Sequence, residues 1–196
     1  MRSGVLFVCH ANICRSPLAE HIGATMFSRA PGTGSVTIPT ASAGTHARDG
    51  LPMHPHAAAV LAERGFDPTR FRTRSLTAAT VASAGLVLAA GRRERAACLD
   101  LVPGAVQRAF TLRQFARLSD AVTSRDLLDL GLAERMGPLD AVIAATTRAR
   151  GRLQPVAPGE DDLADPIGEE LPAFQRCAAM IEAALEPLAR LISTYR

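Results

Sequence analysis

A continuous apolar run, Gly4-Val-Leu-Phe-Val-Cys9, leads almost at once into a helix opening at Ser16-Pro17, and no other feature constrains the fold as strongly. A run that short and apolar on both faces reads as a buried strand of a parallel sheet. Ser is a favoured N-cap, Pro suits the first helical position, and Glu20 sits where the dipole favours an acid. Leu18, Ile22 and Met26 then recur at helical spacing, with the helix running out near Pro31-Gly32. A buried strand feeding a helix is the repeating unit of α/β architecture.

The same alternation continues along the chain. Strands are expected at Val36–Ala41, Leu86–Ala90 and Val106–Leu112. Helices are expected at 57–64 (ended by Gly65), 76–84, 92–101, 114–118, 124–132, 139–150 and about 172–192. Phe174, Met180, Ile181 and Leu185 of the last helix read as core. Loops fill 44–55 and the Pro/Gly/Asp-rich 154–168. The expected fold is α/β: a three-layer sandwich around a central four-stranded parallel sheet. With 196 residues, 47% of them hydrophobic, a single domain spanning 1–196 buries an adequate core, and the stretch at about 119–159 reads as a helical insertion.

The join between the first strand and first helix reads Cys9-His-Ala-Asn-Ile-Cys-Arg15-Ser16-Pro17. A loop between the carboxyl end of a strand and a helix N-terminus gathers backbone N–H groups into a cup that suits a phosphate dianion. Residues His10, Ala11, Asn12, Ile13 and Cys14 would form that cup. Taken alone, a Cys closing an apolar strand is more often a small buried hydrophobe than a nucleophile. Here Cys9 lies at the floor of the cup, where a thiolate is favoured. Arg15 returns over the rim with a planar fork able to hold two phosphoryl oxygens. Ser16 can donate to the Cys9 sulfur, and Asn12 tolerates the left-handed backbone of a tight cradle.

Composition removes competing chemistries. All 22 basic residues are Arg, and without Lys there is neither Schiff-base chemistry nor a Walker-type nucleotide loop. A net charge of +3 with scattered arginines lacks the dense basic runs of a nucleic-acid stripe. No stretch reaches the ~20 apolar residues of a membrane span, and Val5–Val8 is too short for a signal peptide, so a cytoplasmic protein with reduced thiols is expected. His54-Pro55-His56 has no accompanying cluster of metal ligands and reads as a pair of loop histidines; no metal or cofactor is expected.

With these residues in view, the sequence resembles the low-molecular-weight protein tyrosine phosphatases, whose signature is C-x-G-N-x-C-R-S-P. The resemblance runs on through Ser42-Ala-Gly-Thr45, Leu76-Thr77, Leu86-Val-Leu88 and Phe110-Thr-Leu112 to Asp165-Pro166. It implies hydrolysis of phosphotyrosine in proteins through a phosphocysteine on Cys9, with Arg15 as clamp and Asp165 as general acid and base. It also implies a reversible Cys9–Cys14 disulfide and loop support from Ser42, while Cys98 and Cys177 read as core or partly exposed helix residues. Asp161 and Asp162 stand nearby as rival acids.

The chain departs from the family at Ala11, which replaces the signature Gly, and at Phe71, where many members have a His bracing the loop Asn. That leaves Ser42 as the expected support of Asn12. Ile167 takes a place often held by an aromatic that flanks the substrate ring. Other activities on the same fold are a phosphoarginine phosphatase, which the resemblance associates with Thr at the place of Ile13, and a thiol-dependent arsenate reductase, which needs a further Cys pair. A phosphocysteine sugar-transport subunit would give Arg15 no role, and a non-catalytic phosphate-binding module has only the loop changes to support it.

Overall fold

The computed structural model describes residues 3–28, 38–134, 136–157 and 159–194. Four parallel strands, β1 (Ser3–Cys9), β2 (Thr40–Gly44), β3 (Ala84–Ala89) and β4 (Ala109–Thr111), lie in the order β2-β1-β3-β4. Strand β1 sits centrally, with Val5 opposite both Thr40 and Leu86. Its side chains alternate between two buried faces. Phe7, Leu86, Leu88 and Phe110 face one core, while Leu6, Val8, Val87 and Ala109 face the other. This is the three-layer α/β sandwich expected.

The larger core is closed by α1 (Arg15–Ser28), α2 (Pro55–Glu63), α5 (Leu112–Asp120), α6 (Ser124–Glu134), α7 (Pro138–Ala149) and α8 (Leu171–Thr194). The smaller is closed by α3 (Ala78–Ser83) and α4 (Arg92–Leu101), through Val81 and Cys98. Met180 of α8 is exposed, unlike the core position expected for it. Among the described residues no helix is long and apolar enough to cross a membrane.

Three local differences have physical causes. Strand β2 lies at Thr40–Gly44 rather than Val36–Ala41, whose residues 36 and 37 fall outside the described residues, as does the expected end of α1. Its closing residue must be glycine: a Cβ on Gly44 would stand 2.7 Å from both the Asn12 nitrogen and the His10 oxygen. Strand β4 is shorter than Val106–Leu112 because Thr111 caps α5, its hydroxyl accepting from the Gln114 amide at 3.1 Å. Helix α1 opens at Arg15, two residues before the Pro17 expected in first helical position, with the Leu18 amide donating to the Cys14 carbonyl at 3.1 Å. Ser16 is therefore not a cap, and its hydroxyl bonds instead to Asn12, to Cys9 and, at 3.4 Å, to the Ala43 carbonyl.

Candidate active site

The carboxyl end of β1 delivers Cys9 to the floor of a loop running from residue 10 to residue 14. Asn12, with φ of 57°, is the one non-glycine residue in the left-handed region among those described. The bend is thus placed at Asn12, and Ala11 keeps an ordinary backbone in the position where the family signature has Gly. The carbonyls of Cys9, His10 and Ile13 face outward, accepting from the amides of Thr45, His46 and His54 at 2.8–3.0 Å. None of the amides of residues 10–14 donates to another described residue.

Asn12 is fully buried and held on three sides. Its Nδ2 donates to Ser42 Oγ at 2.8 Å and to Ser16 Oγ at 2.9 Å, and its Oδ1 accepts from the Arg74 amide at 2.8 Å. The expectation that Ser42 alone supports Asn12 is corrected, since Ser16 and Arg74 share the task. Ser42 in turn donates to Glu20 Oε2 at 2.5 Å, and Glu20 takes two bonds from Arg74 Nη2 at 2.9 and 2.7 Å. Glu20 therefore serves the loop's support rather than the helix dipole. Phe71 packs beside His21, 6.2 Å between ring centroids. Removing the Glu20 charge by Glu20→Gln is expected to lower kcat/KM about fivefold, the equivalent of about 1 kcal/mol, with little change in Tm. Steady-state kinetics beside a thermal melt checks this.

Ser16 Oγ lies 2.9 Å from Cys9 Sγ. That oxygen accepts from Asn12, and its hydrogen has two acceptors in reach, the sulfur and, at a longer 3.4 Å, the Ala43 carbonyl. Arg15 is 8% exposed. Its Nη1 donates to the Leu163 carbonyl at 3.2 Å and its Nη2 to Asp165 Oδ2 at 2.7 Å, with Glu94 Oε1 at 3.8 Å; its Nε has no partner among the described residues. Asp165, far away in sequence, is thereby brought to the mouth of the loop. The rival acids are both engaged elsewhere. Asp162 Oδ1 accepts from the Arg92 amide at 2.8 Å, and Asp161 is buried in an ion pair with Arg117 at 3.1 Å.

A cleft of about 590 Å³ opens above this group, with His10, Thr45, His46, Arg93, Glu94 and Asp165 on its walls. The His10 and His46 rings stack at 4.4 Å, a pairing with no signal in the sequence because the two residues meet across a loop. Ile167 is exposed beyond Asp165-Pro166. All four cysteines are free and buried. Burial, with Asp165, Cys9 and Cys177 adding to it, pushes the Cys14 thiol well up from its ordinary range. Burial also pushes Cys98 and Cys177 up to about 12, with the Arg15 guanidinium working against it at Cys177. His54 caps α2, accepting from the His56 amide at 3.2 Å, and stacks on Phe174 at 4.6 Å. Among the described residues no group of three or more His, Cys, Asp or Glu side chains gathers as a metal site would.

A parallel sheet with a thiol closing a central strand and a guanidinium opening the helix that follows, one short loop between them, defines a class, the cysteine-based phosphatase fold. Residues 4–130 match the family described as "Low molecular weight phosphotyrosine protein phosphatase", and the chain belongs to that family. It is similar to a low molecular weight protein-tyrosine-phosphatase of Streptomyces coelicolor, 30% identical over 181 residues, 92% of this chain and 87% of the other. It is similar also to a protein-arginine-phosphatase of Geobacillus stearothermophilus, 32% identical over 116 residues, 59% of this chain and 73% of the other. Among solved structures, the low molecular weight protein tyrosine phosphatase from T. tengcongensis superposes with a TM-score of 0.66 at 25% identity, covering 95% of this chain and 97% of that one.

Proposed function

We propose that this protein hydrolyses phosphotyrosine in cytoplasmic protein substrates through a phosphocysteine intermediate. One observation carries the reading: Arg15 Nη2 reaches Asp165 at 2.7 Å, so that nucleophile, clamp and acid converge from positions 9, 15 and 165. The phosphoryl oxygens settle on the amides of residues 10–14 and on the Nε edge of Arg15, and Asp165 yields its place on the guanidinium. Cys9 Sγ attacks phosphorus as the bond to the phenolic oxygen breaks, and protonated Asp165 gives that oxygen its proton. Water then attacks the phosphocysteine, Asp165 takes a proton from it, and the P–S bond breaks. Ser16 and the loop amides stabilise the departing thiolate, Ser16 from 2.9 Å. The chemistry of these side chains needs no metal.

A phosphoarginine substrate is a second reading, favoured by the carboxylates of Glu94 and Asp162 in the cleft, which suit a cationic leaving group, and by the lack of an aromatic at Ile167. Rates on matched phosphotyrosine, phosphoserine and phosphoarginine peptides decide between them. Phosphotyrosine is expected to be turned over at least about tenfold faster, with vanadate inhibiting and EDTA without effect. A faster phosphoarginine peptide would install the second reading; no turnover of any would sink both.

A further inference from the structure

We propose that Asp161 is a positioning residue for Asp165: its buried carboxylate bolts the acid-bearing loop to α4 and α5, so that Asp165 keeps its aim after phosphate has taken Arg15. The inference rests on the function proposed above and assigns work to a side chain which that mechanism leaves idle.

Little holds Asp165 in place. Its close partner is Arg15 Nη2 at 2.7 Å; otherwise, among the described residues, it accepts only a 3.4 Å bond from the Ile167 amide, and its side chain is 43% exposed. Phosphate binding removes the first of these, because the same guanidinium must turn to the phosphoryl oxygens. From then on the aim of Asp165 depends on the chain behind it. That chain is pinned at three successive residues. The Leu163 amide donates to the Ala90 carbonyl at 2.7 Å, while its own carbonyl holds Arg15. Asp162 Oδ1 accepts from the first amide of α4, and its carbonyl takes a 3.3 Å bond from Arg113. Asp161 supplies the charged anchor: its oxygens lie 3.1 and 3.4 Å from Arg117 Nη2 of α5 and 3.8 Å from Arg92 Nη2 of α4.

The Asp161 side chain is only 7% exposed. A carboxylate that far from water is tolerated only when paired, so its two arginines fix where this part of the loop can sit. A loop needing no defined position could carry any polar residue here and leave it in solvent. Asp165, four residues on, shows that the loop does place a carboxylate at the surface where it serves another end, and Asp162 between them is only partly buried.

The test uses the full chain and two phosphate esters. A phosphotyrosine peptide has a leaving group that needs a proton, whereas 2,4-dinitrophenyl phosphate has one that does not. Asp161→Asn is expected to lower kcat about tenfold on the peptide and less than about twofold on the dinitrophenyl ester, with inhibition by inorganic phosphate unchanged. In an Asp165→Asn background the same change is expected to add nothing, because its effect passes through the acid. Arg117→Met, at a partly exposed residue, is expected to reproduce the split and stands in if Asp161→Asn does not fold. Equal losses on both esters, no loss, or a full additional loss in the Asp165→Asn background would overturn the proposal. An unaltered chain that hydrolyses neither ester would remove the phosphatase reading itself, and this inference with it.

Discussion

Cys9→Ser is expected to lower turnover of any phosphomonoester by about 10⁴-fold or more, a loss of about 5 kcal/mol of transition-state stabilisation. A serine hydroxyl is a far weaker nucleophile at neutral pH, and the side chain that hydrogen-bonds Cys9 Sγ among the described residues, the Ser16 hydroxyl at 2.9 Å, is no base and already receives the Asn12 amide. The same variant is expected to keep its affinity for inorganic phosphate within about threefold, because the loop amides and Arg15 are untouched. The fold should survive, since serine is nearly isosteric at the end of a strand fully paired with Gly44 of β2. Initial rates on p-nitrophenyl phosphate and phosphate inhibition of the residual rate check the two halves separately. Retained activity would mean that the sulfur is not the attacking atom, and the phosphocysteine route would have to be abandoned.

What could be read from the sequence follows the range of the forces involved. The join from Gly4 to Pro17 is written in adjacent residues, and its strand, loop and helix are each decided by neighbours along the chain. Cys9, Asn12 and Arg15 were therefore legible, and so was the alternation of strands and helices. The resemblance supplied Asp165, but the bond that delivers it spans 150 residues, and no local pattern encodes it. The bracing of Asn12 by the Arg74 amide spans 62, and the anchoring of Asp161 by Arg117 spans 44. Asp161 and Asp162 look alike in sequence, yet one is buried in an ion pair and the other caps a helix. Strand β2 escaped for another reason. Its composition, Thr-Ala-Ser-Ala-Gly, has little strand propensity, and its last residue, Gly44, is held to glycine by the loop packed against it.

Asp165→Asn is expected to slow hydrolysis of phosphotyrosine by about 10²–10⁴-fold, the range for losing a general acid, and to slow esters with good leaving groups much less. The structure adds a second effect of opposite sign. In the free enzyme Asp165 occupies Arg15 Nη2 at 2.7 Å, so it competes with phosphate for the clamp. An amide holds a guanidinium less strongly than a carboxylate does, and the variant should leave Arg15 more available. Because the Asp165 side chain is 43% exposed, solvent screens the pair, and its removal is worth no more than about 1 kcal/mol. Inhibition by phosphate or vanadate should accordingly tighten about fivefold while turnover falls. Two observables moving in opposite directions separate this mechanism from simple damage to the site, which would weaken both. If the inhibitor bound less tightly to the variant, the carboxylate would be helping to hold the anion or its proton, and the competition for Arg15 would be wrong.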